Sequence, residues 1–227
     1  MEILILIVII LILGTVGVFF FFKSKPDPTK NEPVQFPDNP KLYTHENIWK
    51  AMNMQLVQLH KMGEIKEATV VAEEALNTAI KAFGENHIQV AVSLNNLAAF
   101  YKSQGKFAEA ESLYSKALSI WENNLGKDHP DVASCLNNLG DLYFSCGKYD
   151  ESEKCYKDSL DIFEKKLGKS HPNSITVIEN TIELYKKIGK NDKATILEEK
   201  LKKVLSRAES RNPRHHYGTY LFIGVKK

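Results

Sequence analysis

LNNLAAFYKSQGKFAEAESLYSKALSIWENNLGKDHP, Leu94 to Pro130, is followed from Leu136 by a second rendering of the same text. The glycines carry the period on their own: Gly63, Gly105, Gly147 and Gly189 stand 42 residues apart, and Gly84, Gly126 and Gly168 form a second series with the same step. Self-similarity at a few tens of residues is the mark of a stacked repeat protein, because each unit is too small to bury its own apolar face and leans on its neighbours. Within one unit, Leu94, Leu97, Ala98 and Tyr101 fall at the i, i+3, i+4, i+7 spacing of a helical face. Ala110, Leu113, Tyr114, Ala117 and Leu118 form a second stripe. Only a few residues around Gly105 separate the stripes, so the two helices fold back as an antiparallel hairpin. Pro130 suits the first position of the next helix and Asp131 suits its dipole.

These residues resemble the tetratricopeptide repeat of the 42-residue kind found in kinesin light chains. The resemblance rests on Leu94-Asn95-Asn96-Leu97-Ala98, Tyr101, Gly105-Lys106-Phe107, Ala110, Tyr114, Ala117, Leu125-Gly126 and His129-Pro130. The second copy reads Leu136-Asn137-Asn138-Leu139-Gly140, Tyr143, Gly147-Lys148-Tyr149, Tyr156, Leu167-Gly168 and His171-Pro172. The outer units depart from it, with Gln55 and Thr181 at the place of Leu97. The resemblance implies an all-α, right-handed superhelical stack of about four helix-turn-helix units. They span 43–209, as 43–84, 85–126, 127–168 and 169–209. The heptads that precede such repeats in a kinesin light chain are missing, so the chain resembles the module and not the motor protein.

Outside the repeats the composition changes. From Ile3 to Phe22 the chain is Ile, Leu, Val and Phe, interrupted by Gly14, Thr15 and Gly17. Twenty such residues at about 1.5 Å each match the roughly 30 Å hydrocarbon core of a bilayer. Residues 1–22 therefore read as a single transmembrane helix. A cleaved signal peptide would carry a basic start, a shorter apolar run and a small-x-small site, whereas Glu2 is the only early charge here and Phe19 to Lys23 offers no such site. Lys23, Lys25 and Lys30 follow the apolar run, whereas Glu2 precedes it, which places the repeats on the cytoplasmic side of a single-pass membrane protein. Residues 23–42 hold Pro26, Pro28, Pro33, Pro37 and Pro40 and read as a semi-rigid extended spacer.

The formal net charge of the 227 residues is +2, but from Lys200 onward eight Lys or Arg face one Glu. The tail, 210–227, suits an anionic lipid or an acidic protein surface. Only the tail comes near the basic face with interleaved aromatics that nucleic-acid binding needs, and it carries no recognised module. Cys135, Cys146 and Cys155 are odd in number and lie in one unit, the pattern of small core cysteines in a reducing compartment rather than of a disulfide framework.

No catalytic, cofactor or metal site emerges. His87, His129 and His171 repeat at 42 residues and occupy one turn in successive units. Packed helices stand about 8–10 Å apart, too far for the three to share a zinc at about 2 Å. The informative surface is the side of each first helix opposite its core stripe: Asn95, Asn96, Ala99 and Ser103; Asn137, Asn138, Asp141 and Ser145; Glu179, Asn180, Glu183 and Lys187. The resemblance implies that this side lines a concave groove in which the asparagine at 96, 138 and 180 holds the backbone of an extended peptide. A carboxamide, donor and acceptor at once, equally suits a ladder in which each asparagine bonds the backbone of the neighbouring repeat. Two roles follow: an adaptor that captures a protein segment in the groove, or a permanent accessory subunit of a membrane complex held by anchor, spacer and tail. An enzyme is disfavoured for want of a matched acid, base or nucleophile.

Overall fold

The computed structural model describes residues 44–211, with side chains to 206. The apolar run at 3–22, the proline-rich 23–42 and the tail beyond 211 lie outside the described residues. Among those described, no helix is long and apolar enough to cross a membrane.

The described chain is eight helices and no strand: α1 His45–Met62, α2 Ile65–Phe83, α3 Ile88–Ser103, α4 Phe107–Leu125, α5 Pro130–Ser145, α6 Tyr149–Lys166, α7 Pro172–Lys187 and α8 Asn191–Arg211. Each odd-numbered helix packs on the even-numbered helix that follows it, and each hairpin packs on the next. The result is a stack of four hairpins.

The two kinds of turn have different physics. At the short turn in the second hairpin Gly105 has φ +75°, a left-handed conformation that a side chain disfavours. There the Lys106 amide donates to the Tyr101 carbonyl and the Gly105 amide to that of Lys102, which satisfies two carbonyls left over at the end of α3. The same pair of bonds closes α1, α5 and α7. At the longer turn, His87, His129 and His171 are helix caps: each Nδ1 accepts the amide hydrogen two residues on, at 3.2 Å. The 42-residue histidine series is thus structural.

Ala98, Ala110 and Ala117 are fully buried beside Tyr114. In the third hairpin Gly140 replaces Ala98, and a Cβ there would come within 2.6 Å of the Tyr156 ring. Only glycine lets that ring pass. The Trp121 indole is also buried, and its N–H has no partner.

The cysteine expectation holds in part. Cys135 is fully buried, with its thiol directed at the Tyr114 carbonyl, but Cys146 and Cys155 are half-buried. Burial pushes all three thiols up, Cys155 to about 11, which keeps them protonated and unreactive near neutrality.

Candidate functional site

The first helices, α1, α3, α5 and α7, line one side of the stack, and two asparagine series run across it. Asn96 donates to the Asn53 carboxamide oxygen at 3.2 Å, Asn138 to that of Asn95 at 2.9 Å, and Asn180 to that of Asn137 at 3.0 Å. Every pair joins a residue to one 43 positions back, one helix to the first helix before it. This is a ladder between repeats, made side chain to side chain.

The ladder corrects the expected orientation of that side. Asn95 and Ala99 are each 2% exposed, and Asn137, Asn138 and Asn180 are also buried. Reading only the hairpin partner, the sequence pattern places them opposite the core. In the stack, α3 also packs on α5 and α5 on α7, and these contacts between first helices cover their shoulders. Open to solvent are Ser103, Ser145, Glu183 and Lys187, with Asn96, Asp141 and Glu179 half-buried.

Asp141 is engaged from two directions. The Tyr156 hydroxyl, reaching past Gly140 from α6, donates to its Oδ1 at 2.5 Å, and Lys102 of α3 lies 3.6 Å from its Oδ2. Burial, then the charge of Asp141, pushes the Tyr156 phenol far above its usual range, so its hydroxyl keeps its proton near neutrality. It braces α3, α5 and α6. Asn53, Lys102 and Tyr156 belong to this site, and the sequence reading missed them. The signal for the ladder was present, since Asn53, Asn95 and Asn137 form a 42-residue series one step ahead of Asn96, Asn138 and Asn180.

The opposite edge carries a second recurring contact. The Tyr143 hydroxyl donates to Glu111 at 2.9 Å and that of Tyr185 to Glu153 at 2.8 Å, while Lys148 and Lys190 pair with the same two carboxylates. In the second hairpin Tyr101 reaches Glu73 instead, one turn further, because Thr69 occupies the matching place and accepts from Gln104. At Glu153, burial raises the carboxyl pKa, but the bonds from Lys190 and Tyr185 outweigh it and the net shift is downward. Between α6, α7 and α8, where Thr181 stands in place of Leu139, lies a cavity of about 280 Å³ bordered by Leu160, Tyr185, Ile196 and Leu197. Among the described residues no cluster of His, Cys, Asp or Glu could hold a metal ion.

The family described as "Tetratricopeptide repeat" matches residues 57–114, 89–165 and 136–210. No curated protein matches the chain. Among solved structures, BtubC (BKLC) from P. vanneervenii is similar with a TM-score of 0.66 at 25% identity, over 80% of this chain and 72% of that one. Two crystal structures of a Podosopora anserina protein described as a kinesin light chain with nearly identical TPR-like repeats share the fold. Their TM-scores are 0.61 and 0.58, at 20% and 19% identity, over 74% and 78% of this chain and 79% and 81% of theirs.

Proposed function

We propose, starting from the fact that the chain belongs to the tetratricopeptide repeat family, that it is a membrane-anchored adaptor which captures an extended segment of a protein partner along its first helices. Tetratricopeptide repeats are protein-binding scaffolds, and this is a binding role, not a catalytic one. The supporting observation is the asparagine ladder. By committing the carboxamides to one another it makes a continuous polar floor, from Asn53 to Asn180, that needs no partner to be stable. On that floor Ser103, Ser145, Glu183 and Lys187 stand exposed, and their chemistry changes from neutral hydroxyl to charge along the stack. A segment lying there meets uncharged donors and acceptors first and a mixed-charge end last.

The site residues are accordingly Asn96, Ser103, Asp141, Ser145, Glu179, Glu183 and Lys187 at the surface, with Asn95, Asn137, Asn138 and Asn180 holding the floor in register. The membrane part rests on the sequence alone: residues 3–22 span a bilayer, Lys23 and Lys25 keep the repeats cytoplasmic, and residues 23–42 set the distance between them. The basic tail suits an anionic lipid or acidic protein surface.

The test is capture from mildly solubilised membranes with the full chain and with a Ser103→Glu, Ser145→Glu variant, whose changes lie on exposed positions. The reading expects a polypeptide that accompanies the full chain and falls by about tenfold with the variant, the effect of losing roughly 1.4 kcal/mol. Equal recovery on both, or release of the chain itself by alkaline carbonate, would overturn the groove and the anchor respectively.

A further inference from the structure

We infer that the cavity between α6, α7 and α8 is a binding site for a small carboxylic acid with a compact apolar body, of the arylalkanoate kind. The 42-residue period supplies a comparison from within the chain. At the two earlier interfaces between hairpins the place of Thr181 is held by Leu97 and Leu139, each 4% exposed, so a leucine side chain fills the space. Thr181 is shorter, and its hydroxyl is spent on its own helix, donating to the Val177 carbonyl at 2.7 Å. About 280 Å³ stays open beside it, walled by Leu160 and Leu197, with Ile196, 66% exposed, at the lip. An enclosed apolar cavity of about 150 Å³ takes benzene, so the space is ample for one ring.

The charge of the border changes together with the shape. The counterparts of Lys193 in the two earlier units are Glu109 and Glu151, and those of Lys157 are Glu73 and Ser115. Positions that are acidic or neutral at the filled interfaces are therefore both basic at the open one. Lys193 lies 5.2 Å from the centre of the Tyr185 ring, at the cavity wall. The carboxylate at the border, Glu153, is already matched: the Tyr185 hydroxyl donates to it at 2.8 Å, and Lys190 and Lys193 stand at 2.9 and 3.4 Å. Lys157 is exposed and, among the described residues, forms no ion pair. A ligand carboxylate at the mouth meets an excess of positive charge, whereas an amine there is repelled. An alcohol of the same shape gains the burial of its apolar body without the attraction.

The cavity lies on the edge away from the asparagine ladder. The inference therefore does not depend on a segment passing along the first helices, nor on residues 3–22 crossing a membrane.

Methyl NMR on the full chain in mild detergent tests it, with isoleucine methyls labelled, Ile196 assigned through Ile196→Val, and phenylpropionate as the probe. The Ile196 methyl should shift with half-saturation at or below about 1 mM, and the Ile88 methyl in α3 should stay in place. Thr181→Leu, which restores the residue of the other interfaces, should abolish the shift. Lys157→Glu, on the surface, should weaken binding about fivefold. Phenylpropanol and phenylpropylamine should bind more weakly than the acid, the amine weakest. The inference is overturned if the Ile196 methyl does not move, if the Thr181→Leu chain binds as the parent does, or if the alcohol matches the acid. It is overturned too if the peptide acetyl-Glu-Phe-Glu-amide shifts the same methyl at lower concentration than phenylpropionate, which would give the cavity to an acidic protein segment.

Discussion

A carboxamide buried between two helices is tolerated only when its oxygen and nitrogen are occupied, and that requirement explains the asparagines better than ligand binding alone. Asn138 is 4% exposed and donates to Asn95, itself 2% exposed, so neither side chain has water to fall back on. Asn138→Ala strands the Asn95 oxygen, and the expected loss in urea unfolding is about 1–3 kcal/mol. A loss below about 0.5 kcal/mol would return the asparagines to solvent and to a partner's backbone. The residue types and their 42-step period were legible in the sequence; their pairing was not. Whether two amides 43 positions apart meet depends on how closely two hairpins stack, and a pattern counted along one helix contains nothing about that distance.

Helices and turns were the most legible level. The sequence ends the last unit at 209 and the structure ends the last helix at Arg211, and the glycine period marks each short turn. Both readings work because local chemistry decides them: Gly105 takes a positive φ, and proline there would lose the amide bonded to Lys102 and force φ negative. Gly105→Pro should cost on the order of 3 kcal/mol, seen as an earlier urea midpoint. The clasps that bind one element to the next were not legible, since they join α4 to α5 and α6 to α7 through tyrosine hydroxyls that meet a carboxylate 32 positions back. Burial, then the bonds to Glu111 and Glu153, push the Tyr143 and Tyr185 phenols up to about 12. A phenol raised in the folded state above its usual value near 10 adds stability that is whole below pH 10 and lost as pH climbs through 12. Unfolding measured from pH 9 to 11.5 should therefore show a fall above pH 10 that is shallower in a Tyr143→Phe, Tyr185→Phe variant.

At the scale of the whole molecule, a stack of hairpins separates two tasks that a compact enzyme combines. Stability comes from hairpin against hairpin, through Trp49, Phe100, Tyr114 and Trp121 inside and the asparagine ladder along one side. The remaining surface of the first helices is then free to vary, as Ser103, Ser145 and Lys187 do at one repeated position. On the proposed reading, that position is where a bound segment passes. The most direct measurement places a photo-crosslinking residue at Ser145, or at the exposed Lys116 on the second-helix side, in the full chain within native membranes. The account predicts a discrete protein adduct from position 145 and none from position 116. Adducts from 116 alone, or the same adduct from both, would contradict capture along the first helices.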